Sequence, residues 1–415
     1  MSGLAISDAP PPGIPLRFLV AAVLWGAFAG VWIAGQGSEG LATRWTPATV
    51  VLVHILMLGV MGNAMLGALA QFLPVAAASR LRGAGLVPLL HAVFNAGVVA
   101  FVVAMSRQCT AAMPWVAALL GVSLSAFAGI AGWSLWCGGG PRWLRGGIGM
   151  SLAALASTAA LGVIALMTLA GRWSVELGWL VDVHAATGMV GSALTLVAVI
   201  GVVTLPMLQG TRTPPVALLR SWLALVAAGL LAGAWMRHAG QHGVLVLTAT
   251  VATWGLAAAS LFLQWTARHR RNPTLSAFWA LGMIAMAAAA ALLTCPLPDG
   301  IDRAMLVGTL ALAIGLPFVV VGMMLEIVGF LAWIHLRRVV PRGRQIPGVG
   351  RLLTEADKRW VLAAHVLAAA CLLTTVMSQR GHVVAGVALA LAWLTTLAAL
   401  VRCLGRVRDV QASTA

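Results

Sequence analysis

Apolar residues run along this chain in blocks of helix-spanning length, each separated from the next by a short polar or helix-breaking cluster. The runs fall at about 16–36, 47–75, 86–106, 113–137, 146–171, 179–209, 217–236, 243–266, 275–295, 304–336, 359–378 and 383–403. An α-helix needs about 20 apolar residues to cross a hydrocarbon core of roughly 30 Å. Lipid offers no partner to a backbone N–H or C=O, so an apolar run of this length predicts a helix that satisfies its own backbone. Gly37-Ser38-Glu39, Ser79-Arg80-Leu81-Arg82, Gly138-Gly139-Gly140-Pro141-Arg142, Thr211-Arg212-Thr213-Pro214-Pro215 and Cys295-Pro296-Leu297-Pro298-Asp299-Gly300 mark turns between runs. The pattern predicts an all-α, polytopic bundle of about twelve transmembrane helices. It forms one integral membrane domain over 1–415, with a short N-terminal segment (1–15), a longest loop at 337–358 and a tail at 404–415. Pro10, Pro11, Pro12 and Pro15 precede the first run without a basic stretch, so the first span, not a cleaved signal, is expected to direct insertion.

Composition strengthens this picture. Of 415 residues 61% are hydrophobic and 9% charged, more apolar surface than a soluble core can hide. The net charge of +16 invites a nucleic-acid reading, but the basic residues sit in small clusters between apolar runs, so no nucleic-acid partner is expected; the partner is the lipid bilayer. With twelve spans, twenty Lys and Arg fall on one side, among them Arg80, Arg82, Arg142, Arg268, Arg270, Arg342 and Lys358. Six fall on the other: Arg44, Arg107, Arg172, Arg237, Arg303 and Arg380. Cytoplasmic loops carry the excess of Lys and Arg, which places both termini in the cytoplasm. Acidic Glu39, Glu176, Asp182, Asp299 and Asp302 fall outside. The five cysteines are dispersed without a C-x-x-C pair, so neither a disulfide framework nor a thiolate metal site is indicated.

Ionisable groups inside a bilayer are costly and are functional candidates by default. On the outer side are His54 in span two, His184 at the entrance of span six, and His238 and His242 at the end of span seven. The last two are four residues apart, which gives them one helical face if the helix continues. On the inner side are His91, Glu326, His335 and His365. Imidazoles converging from several helices at one depth are what a haem or copper site requires. A membrane histidine can equally serve as a hydrogen-bonding packing group. Glu326 is either a proton-relay carboxylate or a partner to Arg337 or Arg338.

His54 is followed by Gly59-Val60-Met61-Gly62-Asn63-Ala64, and His184 by Gly188-Met189-Val190-Gly191-Ser192-Ala193; each span then reaches a proline, Pro74 or Pro206. Span ten, with Gly308, Gly315 and Gly322, is a looser echo of the same pattern, again four spans on.

The segments HILMLGVMGNAMLGALAQFLPV from His54, DVHAATGMVGSALTLVAVIGVVTLPMLQ from Asp182 and MMLEIVGFLAWIHLRR from Met323, with LHAVFNAG around His91, resemble NnrS-type and related haem–copper-oxidase-like membrane proteins. The resemblance covers most of the chain. It implies three arcs of four helices, which accounts for the spacing by four. It implies His54 as a haem ligand and His184, with His238 and His242, as copper ligands. It also implies a bacterial cytoplasmic (inner) membrane, a respiratory or nitric-oxide-response setting, and partners among respiratory-chain components.

The sequence also departs from that pattern. Residues 303–315 contain no histidine where the oxidases take two haem ligands, and the chain has no tyrosine. Glu326 and Gly329 stand where related sequences tend to have lysine and proline. A terminal oxygen reductase is therefore not expected. Two further readings stand beside the haem or copper protein. One is a small-solute transporter with Asn63, Gln71, Asn95, Gln209 and Glu326 along a path. The other is a non-catalytic assembly subunit of a respiratory complex.

Overall fold

The structure is a computed structural model describing residues 9–75, 77–269, 271–298, 300–341 and 343–414. Arg270, Asp299 and Arg342 of the charge tally, and positions 1–8 and 415 of the terminal segments, lie outside the described residues. Among the described residues there is no strand, and twelve helices are long and apolar enough to cross a membrane. They are α1 (Gly13–Gly40), α2 (Pro47–Val75), α3 (Ala84–Ser106), α4 (Thr110–Trp136), α5 (Arg142–Leu169) and α6 (Leu177–Gln209). The second half is α7 (Val216–His238), α8 (Gly243–Trp265), α9 (Pro273–Leu292), α10 (Arg303–Val339), α11 (Glu355–Ser378) and α12 (His382–Ser413). The chain is a multi-pass membrane protein, and each predicted run corresponds to one helix.

The ends differ from the apolar runs in instructive places. At the C-terminus the predicted tail 404–415 is mostly a continuation of α12: Cys403 and Val407 are buried along one face, and Arg402 and Arg406 bond to Asp357 of α11. The loop 337–358 is shorter than its sequence reads, because α10 runs on to Val339 and α11 starts at Glu355. Thr354 caps that start by accepting the Asp357 N–H at 3.2 Å. One short helix, Val349–Leu352, lies between them. Inside α1 the helix breaks at Gly37, whose φ of +66° few other residues adopt at little cost.

The helices gather into two compact units. The first spans residues 72–271 with the end of α9 from Met286. In it α3, α4, α5 and α6 pack as sequence neighbours, α7 pairs with α8, and α6 touches α5, α7 and α8. The second holds residues 10–71, the start of α9 and everything from Gly300 onward. Its largest interface joins α1 to α12; α12 also packs on α10 and α11. At the α1–α12 crossing the two backbones meet directly. A Cβ on Gly30 would lie 2.4 Å from the Gly386 oxygen and 2.4 Å from the Ala390 nitrogen, and one on Gly386 would lie 2.4 Å from the Gly30 oxygen. Small residues at such a crossing let van der Waals contact replace the hydrophobic drive that lipid removes.

Three helices share a build. α2, α6 and α10 each open with a side-chain N-cap: Thr46 for the Thr49 N–H, Glu176 for Trp179 and Asp302 for Met305. Each then passes from α-helix into π-helical turns, Ile55–Gly62, Thr187–Leu194 and Thr309–Gly315, and back again. They are also the most enclosed: 56, 78 and 61% of their most apolar stretches are buried, against 17% for α5 and α7.

Two outcomes follow from this arrangement. Gly30→Leu forces α1 off α12 and costs about 1–3 kcal/mol or more by overpacking, read as a lower unfolding midpoint in mixed micelles. Gly35→Leu, with nothing within 4 Å of its Cβ, leaves the midpoint in place. Cys109 and Cys295 are exposed on the side with six basic residues and Cys137 on the opposite side. A membrane-impermeant maleimide should label the first two from outside and Cys137 only in inverted vesicles; the reverse pattern would overturn the orientation.

Candidate functional site

A π-helical turn carries one residue more than an α-turn and closes its hydrogen bonds at i→i+5, so backbone carbonyls in the wide stretch need additional donors. In α2 the fully buried Asn63 donates Nδ2 to the Gly59 oxygen at 2.9 Å. In α6 the Thr195 hydroxyl reaches back five residues to the Val190 oxygen at 2.9 Å. The Ser192 oxygen of α6 accepts from Ser151 of α5 at 2.9 Å. Gly59 has a packing reason as well, since a Cβ there would come within 2.7 Å of the Trp25 ring on α1.

His54 is the last α-helical residue before the wide stretch of α2. It is half-buried, and its Nδ1 lies 2.7 Å from the Val50 oxygen one turn back. A carbonyl only accepts, so the hydrogen-bond network assigns the proton to Nδ1 and leaves the lone pair on Nε2. His184 stands three residues before the wide stretch of α6 and is held in the same way, with Nδ1 3.1 Å from the Thr158 oxygen of α5. Gly162, one turn further along α5, makes room for its ring: a Cβ there would lie 3.2 Å from Cε1. Imidazoles that ligate metals are commonly fixed through the second nitrogen by a carbonyl or carboxylate, and both histidines have that support.

The pair expected at the end of span seven does not form a shared face. α7 ends at His238 and the chain turns through Gly240, at φ +83°, so His242 stands at the start of α8. His238 packs edge-on against Trp179, with ring centroids 6.0 Å apart. His242 is exposed, its Nδ1 3.9 Å from Asp182. Asp182 instead bonds to Arg237 Nε at 2.9 Å, and Arg237 also reaches Glu176 at 4.0 Å. His184, His238 and His242 therefore have three separate settings within one unit. Within neither unit, among the described residues, are three His, Cys, Asp or Glu side chains grouped to hold a metal ion. The three-histidine copper set does not fit this geometry. His54 has the tautomer and the support that a ligating imidazole requires.

The inner-side residues divide as well. His91 belongs to the first unit, where it is half-buried and its backbone oxygen accepts from Asn95 at 2.9 Å. In the second unit Gln411 Nε2 donates to His335 Nε2 at 3.2 Å. His365 is buried, with Nε2 3.0 Å from the Thr396 hydroxyl and its ring edge-on to Phe278, Phe318 and Trp393. The Thr396 hydroxyl donates to Ala392 and so accepts from His365, a satisfied packing arrangement.

Glu326 takes neither expected partner. It pairs with Lys358 of α11, both almost fully buried. Arg337 and Arg338 lie about 16–18 Å further along α10 at 1.5 Å per residue. The Arg337 guanidinium lies 5.0 Å from the Trp333 ring, and Arg338 bonds to the Pro10 oxygen at 3.4 Å. The first turn of α11 is thus a junction of three ties. Glu355 accepts from the Thr274 hydroxyl and N–H of α9, and Asp357 accepts from Arg402 at 2.8 Å and Arg406 at 2.7 Å on α12. Lys358 holds Glu326 of α10. Sequence reasoning missed this junction by reading Lys358 as a loop cation. The signal was present, since a carboxylate inside span ten requires a cation at its own depth.

No protein-family model matches the sequence, and comparison with curated proteins finds no match.

Removing one partner of a buried ion pair strands the other charge, which costs ~3–5 kcal/mol, while replacing both by apolar groups of similar size is close to neutral. Glu326→Leu and Lys358→Met should each sharply lower the unfolding midpoint, and the double variant should recover most of the loss. Additive losses in the double variant would show that the two side chains act independently.

Proposed function

We propose that this chain is a haem-binding integral membrane protein of the bacterial cytoplasmic membrane, similar to NnrS-type proteins and acting in a respiratory or nitric-oxide-response setting. The observation that carries the reading is His54. It is an imidazole in an apolar helix, fixed through Nδ1 by a backbone carbonyl and placed where α2 widens into π-helical turns, a feature frequent at functional sites. A haem held by a histidine supplies an iron able to bind diatomic gases, with the surrounding polarity deciding the outcome. The separate settings of His184, His238 and His242 argue against one copper site built from all three, and of these His184 has the support of a ligand. The absence of tyrosine and of histidine in 303–315 argues for a sensor, detoxification or metal-handling role over terminal oxygen reduction.

A second reading, passage of a small solute, rests on Gln71. Its side chain is 5% exposed, and neither amide atom has a hydrogen-bond partner among the described residues.

Protein purified from cells supplied with haem precursor and copper should show a Soret band that shifts on reduction. His54→Ala should abolish the band, while His184→Ala should leave it. A haem-free wild-type preparation, or an unchanged spectrum in His54→Ala, rejects the haem reading. Uptake of a solute by proteoliposomes containing only this protein would favour the second.

A further inference from the structure

The second unit carries a groove of about 690 Å³ between the start of α11 and the middle of α12. Leu391, Leu394, Ala398, Arg402 and Arg406 recur along α12 at three- and four-residue steps and form one wall. Trp360 of α11, 71% exposed, stands at the opposite rim. Counted from His382, Arg402 lies 20 residues along α12, which at 1.5 Å per residue is about 30 Å, the depth of a hydrocarbon core. The arginines therefore sit at the headgroup level of the side that the charge bias assigns to the cytoplasm, the usual depth for an interfacial tryptophan too. From Arg402 back to Leu391 is about 16 Å, close to half the core.

The groove is polar only at its head. Asp357 takes Arg402 through Nε and Arg406 through Nη1, leaving one net positive charge from the three groups. A guanidinium has five N–H donors in a planar fork. Among the described residues Arg402 gives the protein only Nε, and its side chain is 48% exposed. Asp357 thus orients both forks: Arg406 places Nη1 on Asp357 and on the Leu352 oxygen at 2.9 Å, while the terminal amino groups of Arg402 make no hydrogen bond within the protein among the described residues. Below them the wall is apolar apart from Thr395: Leu391 and Leu394 are 56% and 46% exposed. The Thr395 hydroxyl is turned back onto the Leu391 oxygen at 2.8 Å. A ligand matching this shape has an anionic head and an apolar chain about as long as one leaflet is thick.

We infer that the α11–α12 groove is a binding site for one anionic phospholipid of the inner leaflet. Its phosphate lies against Arg402 and Arg406, and an acyl chain lies along Leu394 and Leu391. Asp357 acts here as a positioning residue that holds the two guanidiniums side by side. The inference does not depend on haem binding and uses none of the residues proposed for it.

The test uses the full chain, delipidated in neutral detergent and titrated with phosphatidylglycerol, phosphatidylcholine or inorganic phosphate. Bound lipid is counted by native mass spectrometry and thermal stability is read in parallel. Phosphatidylglycerol should bind about fivefold or more tighter than phosphatidylcholine, in keeping with arginines at a membrane surface. Arg402→Ala should remove that preference, and Leu394→Trp, which fills the apolar wall without touching a charge, should weaken phosphatidylglycerol binding to the same extent. Arg142→Ala, which removes an exposed cation elsewhere on the same side, should change neither. Should Arg402→Ala fold poorly, Leu394→Trp still decides the matter. Equal binding of the two lipids, or phosphatidylglycerol binding that survives Leu394→Trp, overturns the proposal. Stabilisation by inorganic phosphate equal to that by phosphatidylglycerol would make the groove an anion site and overturn the lipid assignment.

Discussion

In hydrocarbon a polar group without a partner costs several kcal/mol, because no water stands ready to replace a missing hydrogen bond. Burial inside the bundle imposes the same demand, and the arrangement of the second unit follows from it at the first turn of α11, where Asp357 and Lys358 are buried. Three ionisable residues, Glu355, Asp357 and Lys358, lie within four positions of the sequence, and each is met by a different helix: α9, α12 and α10. A bundle in lipid gains little from burying leucine against leucine. What fixes the neighbours of α11 is that each of these charges has one position of its partner helix in which it is satisfied. The α1–α12 crossing supplies the complementary element, a backbone contact through Gly30 and Gly386 that admits no side chain.

The same constraint explains how the wide turns survive. A stretch closing its bonds at i→i+5 loses the regular pattern of the flanking α-helix, and in lipid the difference must be made up from side chains. Asn63, Thr195 and Ser151 do so, two from within the widened helix and one from its neighbour. These are small polar residues in otherwise apolar spans. Their polarity is consumed in holding the backbone, whereas His54 and His184, like Gln71 of α2, are polar groups whose placement the wide turns do not require.

Much of the architecture was legible because one length scale governs it. A run of about 20 apolar residues has few interpretations, and the alternation of twenty against six basic residues fixed the number of crossings. The repeat was legible in the Gly and His spacing of spans two and six. The π-helical turns beneath it were not, since a widened turn leaves no periodic mark of its own. Lys358 reads as a loop cation because it follows five arginines and its partner is 32 residues away. A common face for His238 and His242 requires the helix to continue between them, and Gly240 is a readable stop. The helical continuation past Cys403 depends on Asp357, a contact across 45 residues that no local pattern reports.

The three wide-turn helices carry the argument one step further. Each extra residue in a π-turn rotates whatever follows by about 100° relative to an uninterrupted α-helix. In α2 this turns Asn63 and the inner half of the span to a different set of neighbours from those His54 meets. α6 and α10 make the same change at the same stage after their capped outer ends. Three helices spaced four apart in sequence, all strongly buried and all rotated midway, must present one set of faces to their partners near the outer side and another near the inner side. A single uninterrupted helix can offer one stripe only. The rotation lets α2 place an imidazole in the outer half and still pack a different stripe in the inner half. That is a physical reason for the histidine to stand at the junction itself, and it ties the proposed ligand to the fold's repeat.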